Sequence, residues 1–198
     1  GAGYFLKALV NQKIRKIKGL DVNHDLINVA NKNCNGVYAE IVSDICSSLR
    51  KDNSNIIVSF FVLEHIENAF EVWDIIKNKK KGTLFIFSVP TFSFTTLLEG
   101  AFKDHFPRSL DNVIHTQLYT DQSIEYALST ANYEVISEWV FGQDSQDLFT
   151  LIMRNLNKNY AEIKNDFSEK INTLLDPFQE ILDKSYFSDA RHIIAIKK

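Results

Sequence analysis

At 198 residues, with 45% hydrophobic and 24% charged side chains, the chain has the composition of a globular domain, and its 15 Phe and 7 Tyr exclude a disordered polyelectrolyte. Twenty-two basic against 25 acidic side chains leave a formal net charge of -3, so no global cationic field draws it onto a nucleic-acid backbone or an anionic membrane. The longest apolar run, IIVSFFVL from Ile56 to Leu63, is far shorter than the roughly 20 residues that span a bilayer. Cys34 and Cys46 have no CxxC spacing, and such sparse cysteine usage suits a reducing cytoplasm, the expected location.

The opening GAGYFLKALVNQ places a glycine pair ahead of Phe5, Leu6, Leu9 and Val10 at helical spacing, which predicts a loop running into a helix. A short strand over Ile17–Val22 carries Asp21 near its end. A helix over Asp25–Lys32 follows, then a strand over Val37–Val42 that gives way to Ser43 and Asp44. Ile56–Phe61 is a continuous apolar run of the kind buried in a parallel sheet. Phe70 to Ile76 predicts a helix closed by the KKKG of Lys79–Gly82, and Thr83–Val89 predicts a strand stopped by Pro90.

The alternation breaks from Thr91 to Tyr119, a stretch with a short helix expected around Thr95–Phe102, Pro107 in a turn, and the length of a lid or binding loop. Thr120 caps an expected helix through Ala131, and Tyr133–Val140 reads as a strand. Leu148–Met153 fits helix or strand. Residues 155–184 read as helical with a break at Pro177, Asn155–Tyr160 as a mobile loop, and His192–Ile196 as a final strand. Strand and helix alternating in this way predict an α/β fold: a Rossmann-like, doubly wound, mostly parallel sheet in three α/β/α layers with an antiparallel terminal strand. One domain is expected over residues 1–198, with a lid at 91–119 and a helical insertion at 148–184.

A glycine-rich loop before a helix lets backbone amides approach a ligand closely, and an acid at the carboxyl end of the next strand can accept both hydroxyls of a ribose. Gly1, Gly3 and Asp21 have that spacing. In sequence and order, GAGYFL, GLDVN, SDI and SFFVLEHI resemble the class I S-adenosylmethionine-dependent methyltransferases. The strand before Pro90, HTQLYT at His115–Thr120, EWVFGQD at Glu138–Asp144 and the closing DPFQEILDKSYFSDARHIIAIKK resemble the small-molecule and sugar-type branch of surface polysaccharide pathways. The resemblance implies S-adenosylmethionine as cofactor and a small-molecule methyl acceptor. By it, Gly1 and Gly3 pack under the methionine moiety and Asp21 holds the ribose. Val22 packs on the adenine, Asp44 and the Ile45 amide read its edge, and Phe60 and Phe61 line the sulfonium end. The family's loop has one more glycine, preceded by a strand with an acidic residue, so upstream sequence is expected before Gly1.

In some oxygen-methylating relatives an acid three residues before a Glu-His pair completes a divalent-metal site. Here Phe61 precedes Glu64-His65, so no metal is expected, and the pair is read as orienting its loop. His115 is the candidate catalytic base for an acceptor hydroxyl, with a structural role in fixing the loop as its alternative. His105 and Tyr119 are weaker candidates, and Phe92, Phe94, Phe102 and Phe106 could wall an acceptor pocket. Two other functions share parts of this pattern: a nicotinamide-dependent dehydrogenase, which lacks a reason for Asp44 and VLEH, and a non-catalytic binding or scaffold domain. Nucleic acid is a disfavoured substrate, since the place after the fourth strand holds FFVLEH.

Overall fold

A computed structural model describes residues 1–103, 115–159 and 164–198. The chain divides into two compact units, Gly1–Asn53 and Ser54–Lys198. The first opens with helix α1 (Tyr4–Asn11), followed by strand β1 (Gly19–Asp21), helix α2 (His24–Cys34), strand β2 (Ala39–Ile41) and helix α3 (Ile45–Lys51). Strands β1 and β2 pair in parallel, Gly19 with Ala39 and Asp21 with Ile41.

Local chemistry sets these boundaries. The Asn23 side chain accepts the Asp25 and Leu26 amides at the start of α2, Asp25 and Lys32 complement the helix dipole at its two ends, and Asn35 closes it in the left-handed region. One side chain then fixes the next strand. The Asn31 carboxamide accepts the Tyr38 and Ala39 amides and donates to the Ala39 carbonyl, which ties β2 to α2. Ile27, Ala30 and Ala39 form the small core of this unit with Leu6 packed against it, and Cys34 and Cys46 are buried thiols outside any disulfide.

The second unit contains β3 (Ile56–Phe60), a 3₁₀ turn (Leu63–His65), α4 (Ala69–Lys77), β4 (Leu84–Pro90), α5 (Phe94–Ala101), α6 (Asp121–Thr130), β5 (Tyr133–Phe141), α7 (Asp144–Asn159), α8 (Lys164–Lys184) and β6 (Ala190–Lys197). Its sheet has the order β3-β4-β6-β5: β3 and β4 are parallel, and β6 runs antiparallel between β4 and β5. The expected Rossmann-like α/β architecture with a reversed terminal strand is thereby present. Phe85 and Phe87 stack at 4.8 Å in the core of this sheet, Trp73 meets both edge-on at 5.7 Å, and Ile193 and Ala195 of β6 are fully buried.

Two expectations change. Leu148–Met153 and Asn155–Asn159 all lie in α7, so the polar stretch is helix rather than loop; the Asn155 side chain donates back to the Leu151 carbonyl and satisfies itself within the helix. Tyr160, like His105, Phe106 and Pro107, lies outside the described residues. Nor does Pro177 break its helix, because α8 runs through it from Lys164 to Lys184. A proline inside a helix costs about 3 kcal/mol. Packing beyond it offsets this: Phe178 sits edge-on to Phe94 and near Phe149, and Leu182 is buried.

A buried carboxylate joins the helices of this unit to the sheet. Asp144, fully buried at the start of α7, accepts the Thr95 amide of α5 at 2.9 Å through Oδ1 and the Asp189 amide before β6 at 2.9 Å through Oδ2. Truncating it strands two amide donors away from water. Asp144→Ala is expected to lower unfolding free energy by about 2–4 kcal/mol, measured as a shift of the urea midpoint, and an unchanged midpoint contradicts the anchoring role.

Candidate functional site

Because β1 and β2 are parallel, the residues that follow them emerge at the same edge of their two-stranded sheet. Asp21 is the last residue of β1; its Oδ1 accepts the Asn23 amide at 2.9 Å and its Oδ2 meets the Gly1 amino group. Partial burial works to raise its pKa, and the Asn23 and Val22 amides work to lower it. Val22, next in the chain, is 58% exposed.

Asp44 caps α3, its two oxygens accepting the Cys46 amide at 3.0 Å and the Ser47 amide at 2.8 Å. Hydrogen bonds from Ser47, side chain and backbone, lower its pKa. A carboxylate oxygen has lone pairs to spare after one such bond, and the amide of Ile45, the first residue of α3, is not among those Asp44 takes. This edge therefore offers acceptors at Asp21 for vicinal hydroxyls and an acceptor-donor pair at Asp44 and Ile45 for an aminopurine edge, so the residues present fit an adenosine group.

Gly3 precedes α1 at φ +76°, and a Cβ there would lie 2.7 Å from both Cα and Cβ of Ala30. Its lack of a side chain is thus required for α1 to approach α2, whatever else it meets. Gly1 has open space around it.

In the second unit, Phe60 ends β3 and lies 5.2 Å from His192, whose Nδ1 is 2.8 Å from Ser88 Oγ. Phe61 turns the chain with φ +53°, a conformation costly for an aromatic residue, while its amide donates to the Ser88 carbonyl at 3.0 Å. Its ring is 44% exposed and meets Phe141 edge-on.

Immediately beyond Phe61 the structure assembles a group that chain order conceals. Thr116 donates both its amide, at 2.8 Å, and its hydroxyl, at 2.9 Å, to the Glu64 carbonyl, 52 residues away, and Gln117 Nε2 donates to the Ile66 carbonyl at 2.7 Å. These bonds clip Thr116 and Gln117 onto the 3₁₀ turn. His115 is carried to His65, ring centroids 5.0 Å apart, and both stand beside Glu64, whose Oε1 is 3.8 Å from His65 Nε2. Glu64-His65 and His115 lie far apart in the chain. Only the unmatched polar character of HTQ after an aromatic segment hinted at a union.

Glu64 is 1% exposed, and its Oε2 and the Nδ1 of His115 are buried without hydrogen-bond partners among the described residues. Burial raises the Glu64 pKa; partial burial and then the neighbouring His65 lower that of His115, with Glu99 acting in the opposite sense. Tyr119, closing the segment, is also buried, and burial pushes its hydroxyl pKa up to about 12. It is held as a neutral phenol. Thr91 bridges to Tyr119, and Phe92 and Phe102 remain about half exposed nearby in sequence, at 44% and 46%. Phe94 instead packs against Leu98 and Leu151.

A lowered histidine pKa means the neutral imidazole persists to more acid pH in the folded chain. His115 is therefore expected to titrate below the ordinary 6.5 when followed by ring-proton NMR shifts. A midpoint at or above 6.5 would contradict the desolvation argued here.

Residues 1–138 match the model of a methyltransferase-domain family. No curated protein matches the chain in sequence. Among solved structures, it is similar to an S-adenosylmethionine-dependent methyltransferase from Archaeoglobus fulgidus, with 20% identity, TM-score 0.61, and coverage of 100% of this chain and 82% of the other. It is also similar to the magnesium protoporphyrin IX methyltransferase of Synechocystis PCC 6803 with bound S-adenosylhomocysteine (11% identity, TM-score 0.60, 100% and 71% covered). A phosphoethanolamine N-methyltransferase of Haemonchus contortus in complex with S-adenosylmethionine gives 15% identity and TM-score 0.63, with 100% and 46% covered. At these identities the structural likenesses establish the fold.

Proposed function

We propose that this member of the methyltransferase-domain family transfers a methyl group from S-adenosylmethionine to a hydroxyl of a small-molecule acceptor, with a sugar or nucleotide-linked sugar as the acceptor class. The observation that carries this reading is the convergence of His115 on Glu64 and His65 just beyond β3. It gives a reacting hydroxyl a polar, partly desolvated niche. A net charge of -3 argues for a small acceptor over a nucleic acid. The family match runs over residues 1–138 and so crosses the division at Asn53.

On the cofactor side, Asp21 accepts the ribose hydroxyls, Asp44 and the Ile45 amide take the adenine edge, and Val22 covers its face. Gly1 and Gly3 leave room beneath the methionine moiety, and Phe60 and Phe61 line the end where the methyl group departs. Methyl transfer is an in-line displacement that needs alignment and exclusion of water above all. The acceptor hydroxyl must also give up a proton, and His115 serves that loss. Among the described residues no helix is long and apolar enough to cross a membrane, which agrees with an acceptor met in water.

Titration calorimetry with S-adenosylhomocysteine tests the cofactor half. Micromolar binding, about -8 kcal/mol, is expected, and Asp21→Ala should weaken it by roughly 100-fold or more, since two charge-assisted hydrogen bonds are lost. Unchanged affinity in that variant moves the ribose elsewhere, and no binding by the parent protein favours a non-catalytic scaffold.

The acceptor half is tested by turnover against a panel of sugars and sugar nucleotides. His115→Ala is expected to slow methylation by roughly 100- to 10,000-fold with S-adenosylhomocysteine affinity within about twofold of the parent. Full activity in the variant removes His115 from the chemistry, and a panel without a substrate removes the acceptor class.

A further inference from the structure

We infer that a groove between β5 and the end of α8 binds neutral sugar units of the acceptor, which makes that acceptor an oligosaccharide and not a nucleotide-linked sugar. The inference rests on the methyl-transfer reading above. Glu138 and Trp139 of β5 line the groove together with Glu180, Asp183, Lys184 and Tyr186, around an open cavity of about 380 Å³.

The lining has the two components a sugar ring requires. A pyranose presents C–H groups on its faces, which suit the electron-rich face of an aromatic ring, and hydroxyls around its rim, which donate well to carboxylates. Trp139 is 63% exposed even though its ring is stacked on Phe141 at 4.5 Å, so a large apolar surface stands ready and is held in one orientation. Tyr186 supplies a second ring. It stands at φ +55°, a costly conformation for an aromatic residue, and is fixed there: its hydroxyl donates to Glu138, and the Arg191 guanidinium lies 5.4 Å from its ring centroid. Asp183 Oδ1 accepts from Gln179 and Ser188, and Glu180 Oε1 from Lys184; each carboxylate keeps lone pairs for hydroxyl donors.

Charge decides which kind of sugar fits. Among the described residues Lys184 is the only cation of the lining, and its Nζ is engaged with Glu180 at 2.6 Å. Arg191, behind Tyr186, is 6% exposed and already paired with Asp121 and Glu138. A diphosphate would therefore enter beside three carboxylates without a cation free to receive it, whereas a neutral sugar meets acceptors only. The groove is also continuous with the proposed sulfonium end. β5 runs in the same direction as β3, so Trp139 and Phe141 lie towards the edge where β3 ends at Phe60, and Phe141 meets Phe61 edge-on at 6.5 Å. A chain of sugars with one hydroxyl at the methyl group can extend along these rings, and the exposed Trp139 grips a unit that does not react.

The test is saturation-transfer NMR of the parent chain with a panel of neutral oligosaccharides and of uridine-diphosphate sugars, with no cofactor present. At least one neutral oligosaccharide is expected to bind, and the nucleotide sugars are expected not to displace it. Trp139→Ala should weaken that binding by roughly 10- to 100-fold with far-ultraviolet circular dichroism unchanged, whereas Tyr126→Ala, which alters another exposed aromatic residue, should bind as the parent does. Absence of binding by every neutral oligosaccharide overturns the inference, as does undiminished affinity in Trp139→Ala or displacement by a nucleotide sugar. Should Trp139→Ala unfold, iodide quenching of tryptophan fluorescence in the parent decides the matter: the oligosaccharide should shield Trp139, and equal quenching with and without it overturns the groove. Oligosaccharide binding without S-adenosylhomocysteine binding would leave the groove standing and the methyl-transfer reading fallen. Methylation of a nucleotide sugar, as fast in Trp139→Ala as in the parent, would keep that reading and overturn the groove.

Discussion

The larger unit depends on the reversed strand β6 lying between β4 and β5. Its backbone pairs on both sides, Leu84 to Pro90 on one and Tyr133 to Phe141 on the other, so the last strand of the chain completes ladders begun by much earlier ones. Without it, β4 would present an open row of donors and acceptors and β5 would have no partner in this sheet. Ile193 and Ala195 fill the sheet's interior from this strand, and the Asp189 amide just before it anchors to Asp144 at the head of α7. At the outer end, Arg191 of β6 reaches Asp121 at the start of α6 and Glu138 of β5, so a buried guanidinium closes the same junction electrostatically. It is neutralised on both sides, which is what lets a charge reside there.

That closure gives the chemistry a fixed base. Strand β4 holds Phe61 in its positive-φ turn through the Ser88 carbonyl, and the chain leaving that turn enters Leu63–His65 in a single direction. The HTQ segment then bonds to the carbonyls of this turn. Polar side chains are thus carried to one point by hydrogen bonds to backbone carbonyls of the turn. Glu64 and His65 are 3.8 Å apart, and Glu64 Oε2 and His115 Nδ1 have no partner among the described residues.

In the smaller unit the residues proposed for the cofactor also hold the fold. Asp44 caps α3 with both oxygens while retaining lone pairs at the sheet edge, and Gly3 is demanded by Ala30 at the α1–α2 contact while opening the loop above it. Loss of either removes a structural contact as well as the proposed binding group. A measurement of binding alone would not separate the two effects.

What the chain order carried was the period and punctuation of its elements. Buried runs such as Ile56–Phe60 and Leu84–Pro90, the caps at Asn23, Asp44 and Thr120, and the acid after each early strand depend on neighbours within a few residues, so they are readable without a fold. The order of those motifs also sufficed to indicate the methyltransferase family that the match over residues 1–138 establishes. Tertiary structure decided what depends on distant partners. Pro177 stays within a helix because Phe178 and Leu182 pack beyond it, Leu148–Met153 becomes helix because its apolar face has α5 to cover, and Asp144 is an anchor only once Thr95 and Asp189 are beside it. The meeting of His115 with Glu64 and His65 belongs to this second kind: their separation in sequence is bridged by carbonyls and a threonine whose pairing no local pattern encodes, since hydrogen-bond partners are chosen by the folded path of the backbone.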